Sequence, residues 1–156
     1  MESDLQRIRS VADYQFGSGV GASLFPSGVK ISYSRRTGRI RYVHLNDERL
    51  VTMRPTDGLF SLSIAGAKRI VDVAGLARCF VVVRNDVSEY VANGSDVFAV
   101  HVVMSDDEIH AKDEVIVVDE NNRVLAVGRV VLSGEEMKAF KRGVAVKVRR
   151  GVMEES

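Results

Sequence analysis

Tryptophan is absent from this 156-residue chain, cysteine occurs once, proline twice, and aromatic residues make up only 6% of it. Each shortage excludes something. The lone Cys79 cannot form an internal disulfide and leaves no cysteine cluster for zinc, so a reducing, cytoplasmic setting is expected. No apolar run approaches the roughly 18 residues of a membrane helix, and the acidic start Met1-Glu2-Ser3-Asp4 does not resemble a secretory leader, so no membrane association is expected. The length falls well short of the roughly 250 residues of a TIM barrel. It suits one domain or two small ones.

Net charge is also small, because 22 basic residues against 21 acidic ones leave +1. That sum hides segregation. From Lys30 to Arg54, seven basic residues face two acidic ones, a local +5. From Asn85 to Asn122, ten acidic residues face Lys112 alone, a local −9. From Arg123 to Gly151, eight basic residues face two acidic ones, a local +6. Arginine outnumbers lysine 16 to 6, and its planar fork suits phosphate. Surface potential follows the placement of charge, not its sum, so a polyanionic partner stays open.

The hydrophobic pattern predicts a helix over 4–16, with Ser3 and Gln6 as a capping box and Gly17 as its stop. Three β-rich runs follow a loop, at 29–34, 39–45 and 50–53, joined by turns as an antiparallel meander. Arg39 and Arg41 then project from one strand face beside the turn residues Arg35 and Arg36, forming a basic stripe. Ser63 caps a helix over 64–72. The pattern restarts near Gly75, with strands at 79–83, 97–104, 114–118, 124–132 and 144–149, an Asn85-capped helix over 86–92 and a Ser133-capped helix through Phe140. The expected class is α+β: an N-terminal α+β domain over 1–75 with an antiparallel sheet, a barrel-like domain over 76–151, and a tail over 152–156.

Catalytic constellations are poorly supported. Gly17-Ser18-Gly19-Val20-Gly21 follows a helix and not a strand, and the Walker Gly-Lys-Ser/Thr is missing, so it reads as a flexible or closely packed loop. Asp106, Asp107, Glu108, His110 and Asp113 lack a recognised ligand spacing. His44, His101 and His110 have no triad context, and Asp57 before Gly58 reads as a turn. No catalytic residue, metal or cofactor is expected. The 138–150 segment is more informative, since Lys138, Lys141 and Arg142 at a helix end, followed by Lys147 and Arg149 on a strand, would form a positive concavity suited to phosphate.

Five ordered blocks carry a family resemblance: 80–83 (FVVV), 90–99 (YVANGSDVFA), 113–118 (DEVIVV), 125–129 (LAVGR) and 141–149 (KRGVAVKVR). They resemble the PUA domain of pseudouridine synthases and archaeosine transglycosylases. The blocks 12–17 (ADYQFG), 34–41 (SRRTGRIR) and 57–62 (DGLFSL) resemble the domain preceding PUA in archaeal tRNA-guanine transglycosylases. That family's catalytic half, a TIM barrel with an Asp nucleophile and a Cys/His zinc site, has no counterpart here. The resemblance implies a PUA-type pseudo-β-barrel and a noncatalytic RNA-binding protein of tRNA modification, holding the acceptor stem and CCA end of tRNA or another structured RNA. It would act alone or as the tRNA-binding part of a split transglycosylase, beside a separate catalytic subunit.

In such domains the glycine loop Asn93, Gly94, Ser95 to Phe98 approaches the RNA backbone, with Lys147, Arg149 and Arg150 supplying phosphate contacts. The resemblance also shows a departure, since no aromatic cluster like an RNA-stacking platform is visible. A rival reading from another class makes the acidic stretch 106–120 a docking face for a basic catalytic subunit or ribosome-associated protein.

Overall fold

The computed structural model describes residues 2–75, 78–140 and 142–154 of the chain, which divides into two compact units, Met1–Ala77 and Arg78–Ser156. Both units mix helix with sheet. None of the helices among the described residues is long and apolar enough to cross a membrane.

Unit 1 begins with α1 (Glu2–Phe16), which buries Ile8, Ala12 and Phe16 at helical spacing. The helix already includes Ser3, so the expected capping box at its start is not the cap. The glycine-rich segment that follows is not a loop but holds a short helix, α2 (Val20–Leu24). A Cβ on Gly21 would lie 2.1 Å from the Arg9 carbonyl oxygen, so only glycine lets α2 lie this close to α1. Asp13 Oδ1 accepts the Gly21 N–H at 2.6 Å and satisfies one amide that the start of α2 leaves free.

The sheet of unit 1 is an antiparallel meander in the order β1 (Lys30–Tyr33), β2 (Ile40–Leu45), β3 (Glu48–Met53), β4 (Phe60–Leu62). The row Ile31, Val43, Val51, Leu62 runs across all four strands, its last three members buried. The alternate row Ser32, Tyr42, Thr52, Ser61 is half-buried and polar, as side-chain alternation requires of a sheet with one core face. Strand β4 has only three residues, and Gln15 closes its free edge: its amide donates to the Phe60 carbonyl at 2.7 Å and accepts the Phe60 N–H at 2.8 Å. Ser63 then caps α3 (Ile64–Ala74), its hydroxyl accepting the Gly66 N–H at 3.0 Å.

Unit 2 is a nearly closed, barrel-like sheet in the order β6-β10-β9-β8-β5-β7: β5 (Phe80–Val83), β6 (Val97–Phe98), β7 (Val102–Ser105), β8 (Glu114–Val118), β9 (Val124–Val130) and β10 (Val144–Gly151). Its pairs are antiparallel except β5 with β8. The core is valine-rich, with Val81, Val83, Val115, Val117, Val118, Val127 and Val146 out of contact with solvent.

Two local readings are corrected here. The apolar run 97–104 is not one strand, because a 3-10 turn at Ala99–His101 separates β6 from β7 and the two fall at opposite ends of the sheet order. Asn85 does not cap a helix through its side chain. It begins a 3-10 turn (Asn85–Val87) ahead of α4 (Ser88–Ala92), and its Oδ1 accepts the Glu120 N–H at 2.9 Å. The capping box Ser133/Glu136 does form, at the start of α5 (Gly134–Ala139).

Candidate nucleic-acid interface

The loop Asn93–Phe98 lies beside the last strand. Val97 and Phe98 pair with Val146 and Val144 of β10, and Asp96 Oδ1 accepts the Val148 N–H at 2.9 Å. At its far end β10 meets the end of α4 so closely that a Cβ on Gly151 would stand 2.3 Å from the Ala92 carbonyl oxygen. Past the strand, the Val152 N–H donates to Leu125 and the Met153 N–H to Ala92, so residues 152 and 153 are bound to the barrel. Gly94 has φ +102°. The space over it is not open: the Glu154 carboxylate, which accepts the Gly151 N–H at 2.6 Å, sits 2.7 to 2.9 Å from where a Cβ would be. A carboxylate therefore stands where the sequence reading places an RNA backbone. Gly94→Ala is expected to cost about 1–3 kcal/mol, because the strain is in the backbone. Urea unfolding checks this, and Glu154→Ala should not rescue the variant, since a carboxylate at the end of a flexible side chain moves aside cheaply.

The cations of this region differ in their surroundings. Lys147 is exposed on β10 opposite Arg129 of β9, and directly paired residues of antiparallel strands share a face. On its other side Arg129 is paired with Glu114 of β8, so an acid and two cations lie in one row across three strands. Arg129 donates to the Lys112 carbonyl at 3.3 Å and was not singled out from the sequence, since only the strand register sets it beside Lys147. Arg142 and Arg150 are exposed. Lys138 is instead engaged by Asp107 at 2.5 Å, and Lys141 lies outside the described residues. Arg149 is also engaged, since its guanidinium grips both oxygens of the fully buried Glu114 carboxylate, with Nη1 2.9 Å from Oε1. A bulge between Val148 and Arg150 makes Arg149 the extra residue of β10. Of the positive concavity expected from Lys138 and Arg149, the Arg149 charge is committed to the buried Glu114 carboxylate, while Lys138 and Asp107 form an exposed surface pair. Phe98, Arg129, Arg142, Lys147 and Arg150 are exposed there, as are Lys138 and Arg149 beside their carboxylate partners.

In unit 1, Arg35, Arg36 and Arg39 are exposed around the turn after β1, where the Ser34 N–H donates to the Arg39 carbonyl at 2.8 Å. Arg41 is exposed on β2, its guanidinium carbon 5.2 Å from the Tyr42 ring centroid. The Tyr42 and His44 rings meet edge to face with centroids 6.1 Å apart, so aromatic groups do gather on this sheet, contrary to the expectation from composition.

The acidic stretch is largely consumed internally. Asp106 accepts the Cys79 and Glu108 amides, Asp107 holds Lys138, and Asp113 accepts the His110 amide. Glu114 holds Arg149, buried Asp119 pairs with Arg123 at 2.9 Å, and Glu120 accepts the Asn85 amide. The backbone amides leave Asp106, Asp113 and Glu120 charged, so within 106–120 only Asp107, Glu114 and Asp119 are offset by cations among the described residues. Burial, with Asp113 and Asp106 nearby, pushes the Cys79 thiol up to about 12, which leaves it protonated and inert near neutral pH. Asp57 closes its turn by accepting the Leu59 N–H and pairing with Arg54 at 3.2 Å. Among the described residues, no group of three His, Cys, Asp or Glu side chains could hold a metal ion.

Family comparison agrees with this layout. Residues 6–75 match the patch-forming domain C2 of tRNA-guanine transglycosylase, and residues 80–152 match the PUA domain. The chain is a C2–PUA protein. It is 39% identical over 151 residues to a tRNA-guanine(15) transglycosylase of Methanobrevibacter smithii, covering 97% of this chain and 23% of that protein. It is 44% identical over 145 residues to the Thermococcus kodakarensis protein of the same name, covering 93% and 25%. The C2–PUA chain thus spans about a quarter of the length of the curated relatives it matches. Among solved structures it is similar to a hypothetical protein of Pyrococcus horikoshii, with a TM-score of 0.78 at 25% identity over 99% of this chain and 93% of that one. A conserved PUA domain protein from Thermoplasma acidophilum shares the fold, with a TM-score of 0.69 at 18% identity over 99% and 91%.

Proposed function

We propose that this C2–PUA chain is a noncatalytic RNA-binding protein of tRNA modification in the cytoplasm, which holds the acceptor stem and CCA end of tRNA. One observation carries the reading. Nearly the whole chain matches, at about 40% identity, one quarter of enzymes named for a guanine of tRNA, and that quarter comprises the C2 and PUA domains. The chain would serve alone, or as the tRNA-binding subunit beside a separate catalytic one. The exposed cations Lys147, Arg129, Arg142 and Arg150 supply phosphate contacts, which position a duplex without reading its sequence. A-form RNA hides its major-groove edges, so such a protein recognises shape, 2′-hydroxyls and the strand end.

The purified chain is expected to retain tRNA in a filter-binding titration at low salt and to show no exchange of guanine into tRNA. Absence of binding would overturn the RNA-binding reading. Turnover by the chain alone would overturn the noncatalytic one.

A further inference from the structure

Sheet A of the C2 unit (β1-β2-β3-β4) leaves one face without a helix-side core row, and two irregularities shape it. The register slips between Ser32 and Tyr33, so Arg41 is the extra residue on β2, and slips again at Val43/His44, so Leu50 is the extra residue on β3. A bulge turns a side chain away from simple alternation. The first slip places Ile40 in the core and lets Arg41 reach the ring of Tyr42; the second buries Leu50 and Val51 together and swings Arg49 onto that same ring. Both guanidinium carbons lie over Tyr42, at 5.2 and 5.8 Å from its centroid. His44 meets Tyr42 edge to face, and Lys30 and Arg49 are its cross-strand partners. Neither Arg41 nor Arg49 joins an ion pair among the described residues.

We propose that this cluster is a second RNA site, taking an unpaired nucleotide on the open face of the C2 sheet. Duplex phosphates require only cations. Here the cations are interleaved with π faces: two guanidinium groups within about 6 Å of a tyrosine ring, with a histidine ring beside them, which is the mixture that stacks single-stranded bases. The hydroxyls of Ser32, Thr52 and Ser61 continue the Tyr42 row across the other three strands and offer hydrogen bonds to base edges or ribose. Holding two like charges over one ring without a counter-ion is repulsive, and a phosphate attached to the stacked base removes that repulsion.

The inference rests on the RNA-binding reading above, and the test separates the two. Fluorescence anisotropy of the full chain is measured with a labelled single-stranded RNA of ten nucleotides and with the blunt duplex of the same sequence. Arg49→Gln, an exposed substitution with little consequence for folding, and Tyr42→Leu, which keeps an apolar body on the sheet, are each expected to weaken single-strand binding about tenfold or more while changing duplex binding less than about twofold. Equal loss for both RNAs, or no loss for the single strand, overturns this site and leaves the RNA-binding reading standing. Failure of the unsubstituted chain to bind either RNA overturns both.

Discussion

Arg149→Ala is expected to destabilise unit 2 by about 1–3 kcal/mol, the usual cost of leaving a buried polar group without its partner. The Glu114 carboxylate has no exposure, and the Arg149 guanidinium, with 38% of its side chain accessible, covers it from the solvent side. Truncating the arginine leaves a charge in the barrel without the cation that neutralises it. The double variant Glu114→Met with Arg149→Met should recover most of the loss, since apolar groups of similar volume replace such pairs at little net cost. Urea midpoints for the single and double variants check this. A loss below about 1 kcal/mol, together with a fall in RNA affinity, would return Arg149 to the phosphate-contact role its charge and position imply in the sequence.

That arginine shows where a sequence stops being informative. The +6 and −9 segments are legible by counting, but counting cannot say which members neutralise each other. Lys138 with Asp107, Arg149 with Glu114 and Arg123 with Asp119 each cancel a cation against an acid from the neighbouring acidic segment or its edge. Net charge by segment therefore overstates the positive surface of the barrel. It also overstates the acidic one, in which Asp107, Glu114 and Asp119 are offset by cations of the following segment.

Much of the architecture was legible because local chemistry and tertiary position agree. The Ser63 and Ser133 caps, the turn at Asp119–Asn122 and the meander of β1 to β3 follow from capping and turn residues placed between periodic runs. Failures came where a long-range contact decides. Helix α2 is written in small residues that read as a loop, and it forms because Gly21 fits against Arg9 and its amide is met by Asp13. The break between β6 and β7 sits inside an almost wholly apolar run, and it is marked only in three dimensions, where the Arg84 N–H bonds the His101 carbonyl at the end of the β5–β7 pairing. The bulges at Arg41 and Leu50 left even less trace. They alone bring Arg49 to Tyr42, which is why the aromatic and cationic cluster of the C2 unit was missed from composition.

The salt dependence of tRNA binding is the measurement with the largest expected range. Each phosphate neutralised by a protein cation releases condensed counter-ions, and the logarithm of affinity falls with the logarithm of salt by about 0.9 per contact. If Lys147, Arg129, Arg142 and Arg150 each take one phosphate, affinity should drop about a hundredfold between roughly 50 and 200 mM salt. Contacts made by Arg35, Arg36 and Arg39 in the C2 unit would steepen the slope further. Lys147→Ala with Arg142→Ala should reduce the slope by about 2 and weaken binding to different tRNAs alike, because a phosphate contact carries no sequence information. Neither residue takes part in an ion pair among the described residues, so the double variant should fold as the parent does. Lys138→Ala should lower the slope less than Lys147→Ala, because Lys138 is shared with Asp107 in a surface pair. A slope that falls with Lys138 and not with Lys147 would place the RNA along α5, and the register argument that sets Lys147 beside Arg129 would no longer mark the interface.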